Sequence, residues 1–292
     1  MKKFSTIVCL FGSLICFYTC QPQSSANVKD ADQKSSEFPY VLNPEVFYRM
    51  PAVLKEISGI TFQPDKSDII YAIQDEQGTL FRYHLSKKEI VSTFDFAKPG
   101  DYEDVATDGK FFYVLKSNGD LYTFPFDYEN KDIRVKEFKG LLPKGEYESL
   151  AINPLDKTLY VLCKECKADK KTNQLSGHVL NMDEQGNLEI YRQFTIDLKA
   201  ISNLDSKIGR SIKPSAMTKK NSTNEWYIIS SIDRILLVMD DEFKPKEVIR
   251  FSRKDFEQPE GIAFDSNDNL FISSEAGNLD GGKIYQFNPR SQ

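Results

Sequence analysis

The chain has 292 residues, enough for a single large all-β domain. It is 40% hydrophobic and 12% aromatic, a composition that excludes a disordered protein and favours strands over helices. Its net charge of −5 argues against a nucleic-acid partner and favours cationic ligands or a metal.

The first twenty residues predict export and lipidation. Lys2 and Lys3 precede an apolar run of twelve residues, Ile7 to Tyr18. A helix of that length reaches only about 18 Å, too short for a bilayer core of about 30 Å, so residues 1–19 are predicted to be a signal peptide. "FYTC" before "QPQSS" resembles the lipobox of bacterial lipoproteins, although Phe17 and Tyr18 depart from its usual residues.

This resemblance implies that Cys20 carries the lipid, the alternative being a secretory signal cleaved elsewhere. The protein would then be anchored to a membrane of the bacterial cell envelope, facing the periplasm or exposed on the cell surface. Residues 20–42 are mostly polar and are interpreted as a flexible tether. Removing the signal would also remove two lysines and change the net charge from −5 to −7.

Residues 43–292 contain a repeat. The segments "ISGITFQP", "YEDVATDG", "YESLAINP", "KPSAMTKK" and "PEGIAFDS" align, and their equivalent position is Ser58, Glu103, Glu148, Ser215 and Glu260. The successive intervals are 45, 45, 67 and 45 residues. The longest interval has two inserted loops, "CKADKKTNQLS" and "LKAISNLDSKIGRSI", and the second has apolar residues at helical spacing.

Each unit divides into four short strands, which predicts a β-propeller. In the first unit these are Gly59–Phe62, Ile69–Gln74, Thr79–His84 and Glu89–Phe96. The second strands, such as "IIYAI" and "FFYVL", are apolar on both faces, as expected for a strand between neighbouring blades. The last unit supplies three strands, and the N-terminal "EVFYRMP" is predicted to add the fourth and close the ring. The prediction is five blades, with six as the alternative.

The order and spacing of four segments resemble the SdiA-regulated (YjiK-like) family of bacterial envelope proteins. These segments are "KEISGITFQPDKSDIIYAIQDEQGTLFRY", "DYEDVA", "EYESLAINPLDKTLYVLCKE" and "QPEGIAFDSNDNLFISSEAGN". The resemblance implies a five-bladed propeller, a calcium-binding site and an unsettled phytase-like activity. The chain departs from the family at "KPSAM", which puts a role for Ser215 in doubt.

The repeated glutamates are candidate metal ligands. In a propeller the first strand of each blade lines the central channel, so Glu103, Glu148 and Glu260 are expected at one level around the axis. Two carboxylates about 6 Å apart would repel by about 3 kcal/mol at an effective dielectric constant near 20. Calcium would relieve this repulsion, because it binds six to eight oxygen ligands. In the alternative interpretation each glutamate accepts backbone N–H bonds where its strand begins.

A second ring is expected where the second strands end, at Asp75, Ser117, Glu165, Ser231 and Glu275, with Lys116 and Lys164 beside it. We expect Asp75, Lys116, Lys164, Glu165 and Glu275 to contact a small-molecule or protein ligand. The lysines would either form ion pairs in an acidic mouth or hold phosphate beside calcium. The favoured function is therefore a calcium-binding ligand-binding or scaffold module, and the alternative is a calcium-dependent phosphoester hydrolase.

Cys163 and Cys166 form the motif "CKEC". An oxidising periplasm permits a disulfide between them. Free thiols are the second interpretation, and a metal site the third, because His84 and His178 are distant in sequence.

Overall fold

The computed structural model describes residues 38–44, 46–63, 65–129, 133–209, 211–277 and 280–290. The predicted signal peptide and Cys20 lie outside these residues. Within them, the strands form five four-stranded antiparallel sheets. No helix in the described ranges is long and apolar enough to span a membrane.

The sheets follow one another along the chain as blades, except that the first strand belongs to the last blade. Strand β1 is Val46–Arg49. Blade 1 contains β2 (Ile57–Phe62), β3 (Ile69–Gln74), β4 (Thr79–His84) and β5 (Glu89–Asp95). Blade 2 contains β6 (Tyr102–Thr107), β7 (Phe111–Lys116), β8 (Leu121–Pro125) and β9 (Lys136–Phe138).

Blade 3 contains β10 (Gly145–Asn153), β11 (Thr158–Cys166), β12 (Gln174–Met182) and β13 (Leu188–Asp197). Blade 4 contains β14 (Ala216–Lys220), β15 (Glu225–Ser230), β16 (Ile235–Met239) and β17 (Pro245–Arg250). Blade 5 contains β18 (Gln258–Phe264), β19 (Leu270–Glu275) and β20 (Lys283–Phe287), and β1 completes it.

The N-terminal strand closes the ring, as predicted. Tyr48 of β1 lies opposite Ile284 of β20 in an antiparallel ladder. The first strand of each blade contacts that of the next, and β18 contacts β2, so the inner strands form a closed circle. Five blades are confirmed. Closure covers an edge strand that would otherwise expose unpaired backbone groups.

Each pair of neighbouring blades shares a hydrophobic cluster. Tyr71 of blade 1 meets Phe112 of blade 2 with ring centroids 4.7 Å apart, and Tyr160 of blade 3 meets Trp226 of blade 4 at 4.6 Å. The second strands are buried on both faces, which explains why their sequences do not alternate. Burying one such large apolar side chain stabilises the fold by about 1.5–3 kcal/mol.

The long repeat interval from Glu148 to Ser215 contains a 3₁₀ turn and a short α-helix. A 3₁₀ turn covers Asp169–Lys171, in the loop that joins β11 to β12. Helix α1 covers Leu198–Leu204, and its apolar face buries Leu198 and Ile201. Asp197 caps this helix by accepting a hydrogen bond from the backbone N–H of Lys199 at 2.8 Å. A further 3₁₀ turn, Ala52–Leu54, precedes β2.

Packing begins before the domain boundary predicted at residue 43. Phe38 and Tyr40 lie within the predicted tether, but both are buried against blades 4 and 5. The Tyr40 hydroxyl donates to the carbonyl of Asp268 at 2.7 Å. Two aromatic residues in a polar segment thus hold residues 38–40 against the domain.

Candidate functional site

The repeated glutamates occupy β-bulges. In blade 2 Tyr102 pairs with Lys116 and Asp104 with Leu115, so Glu103 has no partner in the ladder. The registers of blades 3 and 5 skip Glu148 and Glu260 in the same way. A bulge re-aims a side chain at the end of a strand. The sequence repeat is therefore also a repeat in backbone geometry.

The three glutamates come together around the axis. Burial raises the pKa of Glu103 to about 9, and the charges of Glu148, Asp101 and Glu260 add to the increase. Burial also raises the pKa of Glu260 to about 7, with Glu148 contributing. Residues 45 and 112 positions apart in the chain thus lie within electrostatic reach of one another.

Two members of the predicted second ring join this group. Burial raises the pKa of Glu275 to about 8, and Glu260, Asp75 and Glu56 contribute. Burial raises the pKa of Asp75 to about 6, again with Glu56 contributing. One carboxyl oxygen of Asp75, Oδ1, is buried without a hydrogen-bond partner. Asp75 and Glu275 therefore belong to the same acidic group as the repeated glutamates.

Sequence reasoning missed three further acids at this end of the channel. Glu56, Asp101 and Glu146 each lie two residues before the repeated position. Asp101 and Glu56 raise the pKa of neighbouring acids, and Glu146 ion-pairs with Lys164. The repeat itself contained the signal, because the same offset carries an acid in blades 1, 2 and 3. We call these three acids and the five described above the acidic mouth, which consists of Glu56, Asp75, Asp101, Glu103, Glu146, Glu148, Glu260 and Glu275.

Lys164 partly neutralises the acidic mouth. Its ammonium group bonds to Glu148 and lies 3.2 Å from a carboxylate oxygen of Glu146. Burial lowers the pKa of Lys164, but the bonds to these two acids outweigh that effect and raise it. Lys164 therefore stays charged and compensates Glu148.

Lys116 and Glu165 are engaged differently. The Lys116 ammonium group lies over the ring of Tyr102, 5.7 Å from its centroid. Glu165 is exposed, and its carboxylate lies 3.3 Å from both Lys170 and Lys213. These pairs lower the pKa of Glu165. Its charge is thus compensated at the rim.

Hydroxyl groups from blade 4 support the ring. Ser231 and Ser215 hydrogen-bond Glu260 and partly oppose the increase in its pKa. The Ser215 hydroxyl also lies 3.1 Å from the Pro259 carbonyl, which links blade 4 to blade 5.

In blade 1 the carbonyl of Ser58 accepts a hydrogen bond from the Ser273 hydroxyl at 2.7 Å. In blade 2 the Ser117 hydroxyl donates to Asp101. The two serines of the inner position thus help to join adjacent blades.

Asp104 takes the backbone-binding role considered above for the glutamates. Its carboxyl group accepts hydrogen bonds from the N–H groups of Val105 and Leu150, both at 2.8 Å, and also bonds that of Met217. A Cβ on Gly59 of blade 1 would lie 2.5 Å from an Asp104 oxygen, so that position requires glycine. Burial raises the pKa of Asp104. The side chain thus reaches inner strands on several sides of the axis.

A cavity of about 900 Å³ occupies the opposite end of the channel. It is lined by inner-strand residues beyond Asp104, including Ile60, Leu150 and Met217, and by the hairpin loops that follow. None of the predicted site residues within the described ranges lines it. This cavity and the clustered carboxylates therefore lie at different ends of the channel.

Cys163 and Cys166 are joined by a disulfide, with their Cα atoms 6.0 Å apart. Their sulfur atoms and a carboxylate oxygen of Asp169 lie within 4.8 Å of one another. Because each sulfur is bonded to the other, neither is available as a thiolate ligand. The disulfide lies in blade 3, at the end of β11 that reaches the acidic mouth.

These features define a five-bladed propeller with an acidic mouth at one end of its channel. The sequence profile of the SdiA-regulated family matches residues 46–279, and the chain belongs to that family. No curated protein matches the sequence.

Two solved structures share the fold. Glutaminyl cyclase from Myxococcus xanthus is 16% identical, with a TM-score of 0.57 over 84% of this chain and 94% of that one. A luciferin-regenerating enzyme is 12% identical, with a TM-score of 0.50 over 83% of this chain and 95% of that one. At such low identity these similarities indicate the fold alone.

Proposed function

We propose that the acidic mouth binds a calcium ion and that the protein is a lipid-anchored ligand-binding or scaffold module of the bacterial envelope. The observation that carries this proposal is the convergence of Glu103, Glu260, Glu275 and Asp75, whose pKa values are all raised by burial and by neighbouring acids. Lys164 compensates Glu148 and opposes the increases at Glu103 and Glu260, but both remain raised. A divalent cation would supply the missing positive charge.

The donor chemistry favours calcium over softer metals. The acidic mouth offers carboxylate oxygens, with serine hydroxyls beside Glu260. Calcium accepts six to eight oxygen ligands in flexible geometry, whereas zinc prefers histidine and cysteine. The unpartnered Asp75 Oδ1 suits a cation, because a buried acceptor without a partner is costly. Glu103, Glu148 and Glu260 would hold the ion, with Asp75 and Glu275 beside them.

Calcium in this position would serve ligand binding. An ion held from one side keeps coordination positions for a carboxylate or phosphate oxygen of a ligand. A calcium-dependent phosphoester hydrolase remains the second candidate, and it would need cationic side chains to hold the phosphate. Lys164 is already paired with Glu146 and Glu148, and Glu165 lies between Lys170 and Lys213. This pairing favours the binding module.

The membrane anchor is a separate part of the proposal. It rests on Cys20, which follows the apolar N-terminal run and precedes a polar segment. We expect the full chain to fractionate with membranes and the Cys20→Ser variant to become soluble after export. A variant that stays with membranes would contradict lipidation at Cys20.

Calcium-dependent melting tests the metal site. Calcium at about 100 times its Kd would stabilise the wild type by about 2.7 kcal/mol, which raises the Tm by about 5–10 °C. The double variant Glu148→Gln/Glu260→Gln is expected to lose this increase. Glu89→Gln, on the exposed strand β5, is the control and should keep it. Equal Tm values with and without calcium in the wild type would overturn the proposal.

A further inference from the structure

Blade 3 contains two bulges that face each other. In the β10–β11 ladder Glu146 pairs with Glu165, Tyr147 with Cys163 and Ser149 with Leu162. Lys164 is therefore the extra residue on β11, and Glu148 is the extra residue on β10. The side chains of these two residues bond directly to each other. Their ion pair depends on both bulges.

The disulfide encloses the bulge on β11. Cys163 and Cys166 are separated by Lys164 and Glu165 alone, so the covalent loop contains the lysine of the ion pair. A Cβ on Gly145 would lie 2.5 Å from the Cys166 sulfur, so the disulfide packs directly against β10. The Cys163 sulfur lies 3.2 Å from the Glu146 carbonyl. These contacts fix the loop to the strand that carries Glu146 and Glu148.

Blade 2 has a lysine at this edge without a disulfide. Lys116 lies in register opposite Tyr102, the place that Cys163 occupies opposite Tyr147 in blade 3. The Lys116 ammonium group lies over the Tyr102 ring. Lys164 is one residue further along its strand and lies inside the disulfide loop, where it bonds to Glu148. The lysine inside the loop is thus the one that bonds to its blade's glutamate.

We propose that the Cys163–Cys166 disulfide is a positioning element that holds Lys164 in the acidic mouth as an internal cation, and that its reduction releases Lys164 and strengthens divalent-cation binding. The second half of this proposal rests on the calcium site proposed above. Release of a positive charge from the acidic mouth increases its attraction for a cation. Cation affinity would then depend on the thiol redox state around the protein.

A dithiol can carry out this reduction. One of its thiolates attacks a disulfide sulfur, and its second thiolate resolves the mixed disulfide. The products are two cysteine thiols in the protein and a cyclic disulfide in the reductant, a transfer of two electrons and two protons. Cys166 is 6% exposed and Cys163 is fully buried, so attack is expected at Cys166.

Lysine footprinting tests the positioning role without any metal. Acetylation of Lys164, read by mass spectrometry, is compared between the wild type and the Cys163→Ser/Cys166→Ser variant. Lys110 serves as an internal reference, because it lies at the opposite end of the channel and its side chain is 59% exposed against 17% for Lys164. We expect Lys164 to react at least about fivefold faster in the variant, as a lysine freed from a buried ion pair should. An unchanged rate would overturn the positioning role.

Calcium titration tests the redox coupling. The double-serine variant is expected to bind calcium about fivefold more tightly than the wild type, a modest coupling between sites. This gain should disappear when both proteins also carry Lys164→Gln. An unchanged affinity, or an equal gain without Lys164, would overturn the coupling.

If the serine variant does not fold, wild type reduced with dithiothreitol replaces it in both measurements. Absence of calcium binding in every protein would refute the calcium site and the coupling with it, whereas footprinting would still decide the positioning role.

Discussion

Blades 2 and 3 each place a tyrosine, a glutamate and a lysine near the acidic mouth, namely Tyr102, Glu103 and Lys116 in one and Tyr147, Glu148 and Lys164 in the other. The lysines differ in position, because Lys116 lies opposite Tyr102 whereas Cys163 lies opposite Tyr147. The tyrosines behave alike, since each hydroxyl donates to the carbonyl four residues earlier, at 2.7 and 2.8 Å. The lysines differ. Lys164 neutralises Glu148, whereas Lys116 lies over Tyr102.

A register difference of one residue separates these two arrangements. Lys116 stays within its ladder, while Lys164 bulges out between the cysteines of the disulfide. Glu148 thus has a cationic partner within the protein, although burial still raises its pKa. Burial and neighbouring acids raise the pKa of Glu103 to about 9, which we interpret as a demand for an external cation. The comparison therefore shows how the position of one lysine changes the charge balance around a glutamate.

Replacement of Lys164 should give the largest effect. In Lys164→Met the carboxylate of Glu148, which is 9% exposed, loses its cation while burial persists. Breaking such a pair costs about 3 kcal/mol, or about 6–12 °C in Tm. The matched variant Lys116→Met should lose less than about 1 kcal/mol, because a partly exposed cation–π contact is weak. Thermal melting without calcium measures both losses of stability. Equal losses in the two variants would contradict the proposed difference between Lys164 and Lys116.

Replacement of Glu103 should have the next largest effect on stability. It should stabilise the metal-free protein, whereas replacement of Lys164 should destabilise it. At pH 9 the metal-free Glu103→Gln variant should be more stable than the wild type, because it removes a repelled carboxylate. Its calcium affinity should fall by about 10-fold to 100-fold, or about 1.4–2.7 kcal/mol. Calorimetric titration and melting measure these two changes. Reduced stability at pH 9 would instead indicate a structural role for Glu103.

The metal-free protein should lose stability as the pH rises. The pKa values of Asp75, Glu260, Glu275 and Glu103 are raised to about 6, 7, 8 and 9. Between the ordinary carboxyl values and these values the folded state binds more protons than the unfolded state, so stability falls from about pH 4.5 to pH 9. Calcium should flatten this dependence in melting curves. A Tm that increases over this range without calcium would contradict it.

The two tyrosines should show the smallest effects. Tyr102→Phe and Tyr147→Phe each remove a hydrogen bond to a carbonyl, and each should cost about 1 kcal/mol. Tyr102→Phe also removes the hydrogen bond between the Tyr102 and Tyr122 hydroxyls, so its loss should be slightly larger. Denaturant unfolding measures both losses. A much larger loss in blade 3 would show that the disulfide region depends on Tyr147 beyond this bond.

The sequence predicts the architecture well because strand patterning and turn residues are local signals. The predicted bounds of β3 and β4 agree with the structure. The repeat interval also predicts which glutamates meet, since equivalent positions in a closed ring lie around one axis. Glu103, Glu148 and Glu260 do come together, although their role as metal ligands stays a prediction.

Register and side-chain direction could not be predicted in the same way. A bulge is decided by pairing between two strands, so the one-residue difference between Lys116 and Lys164 does not follow from either strand alone. Glu165 shows the same limit, because exposed lysines draw its carboxylate to the rim. Asp104 is adjacent to Glu103 in sequence, yet it binds backbone groups across the axis.

Anomalous diffraction from a crystal grown with calcium tests the central claim most directly. We predict a calcium peak in the acidic mouth, about 2.3–2.6 Å from carboxylate oxygens of at least two of Glu103, Glu148 and Glu260. A mouth without a peak at millimolar calcium, or a peak only in the cavity beyond Asp104, would contradict the claim that the repeated bulges build a cation site.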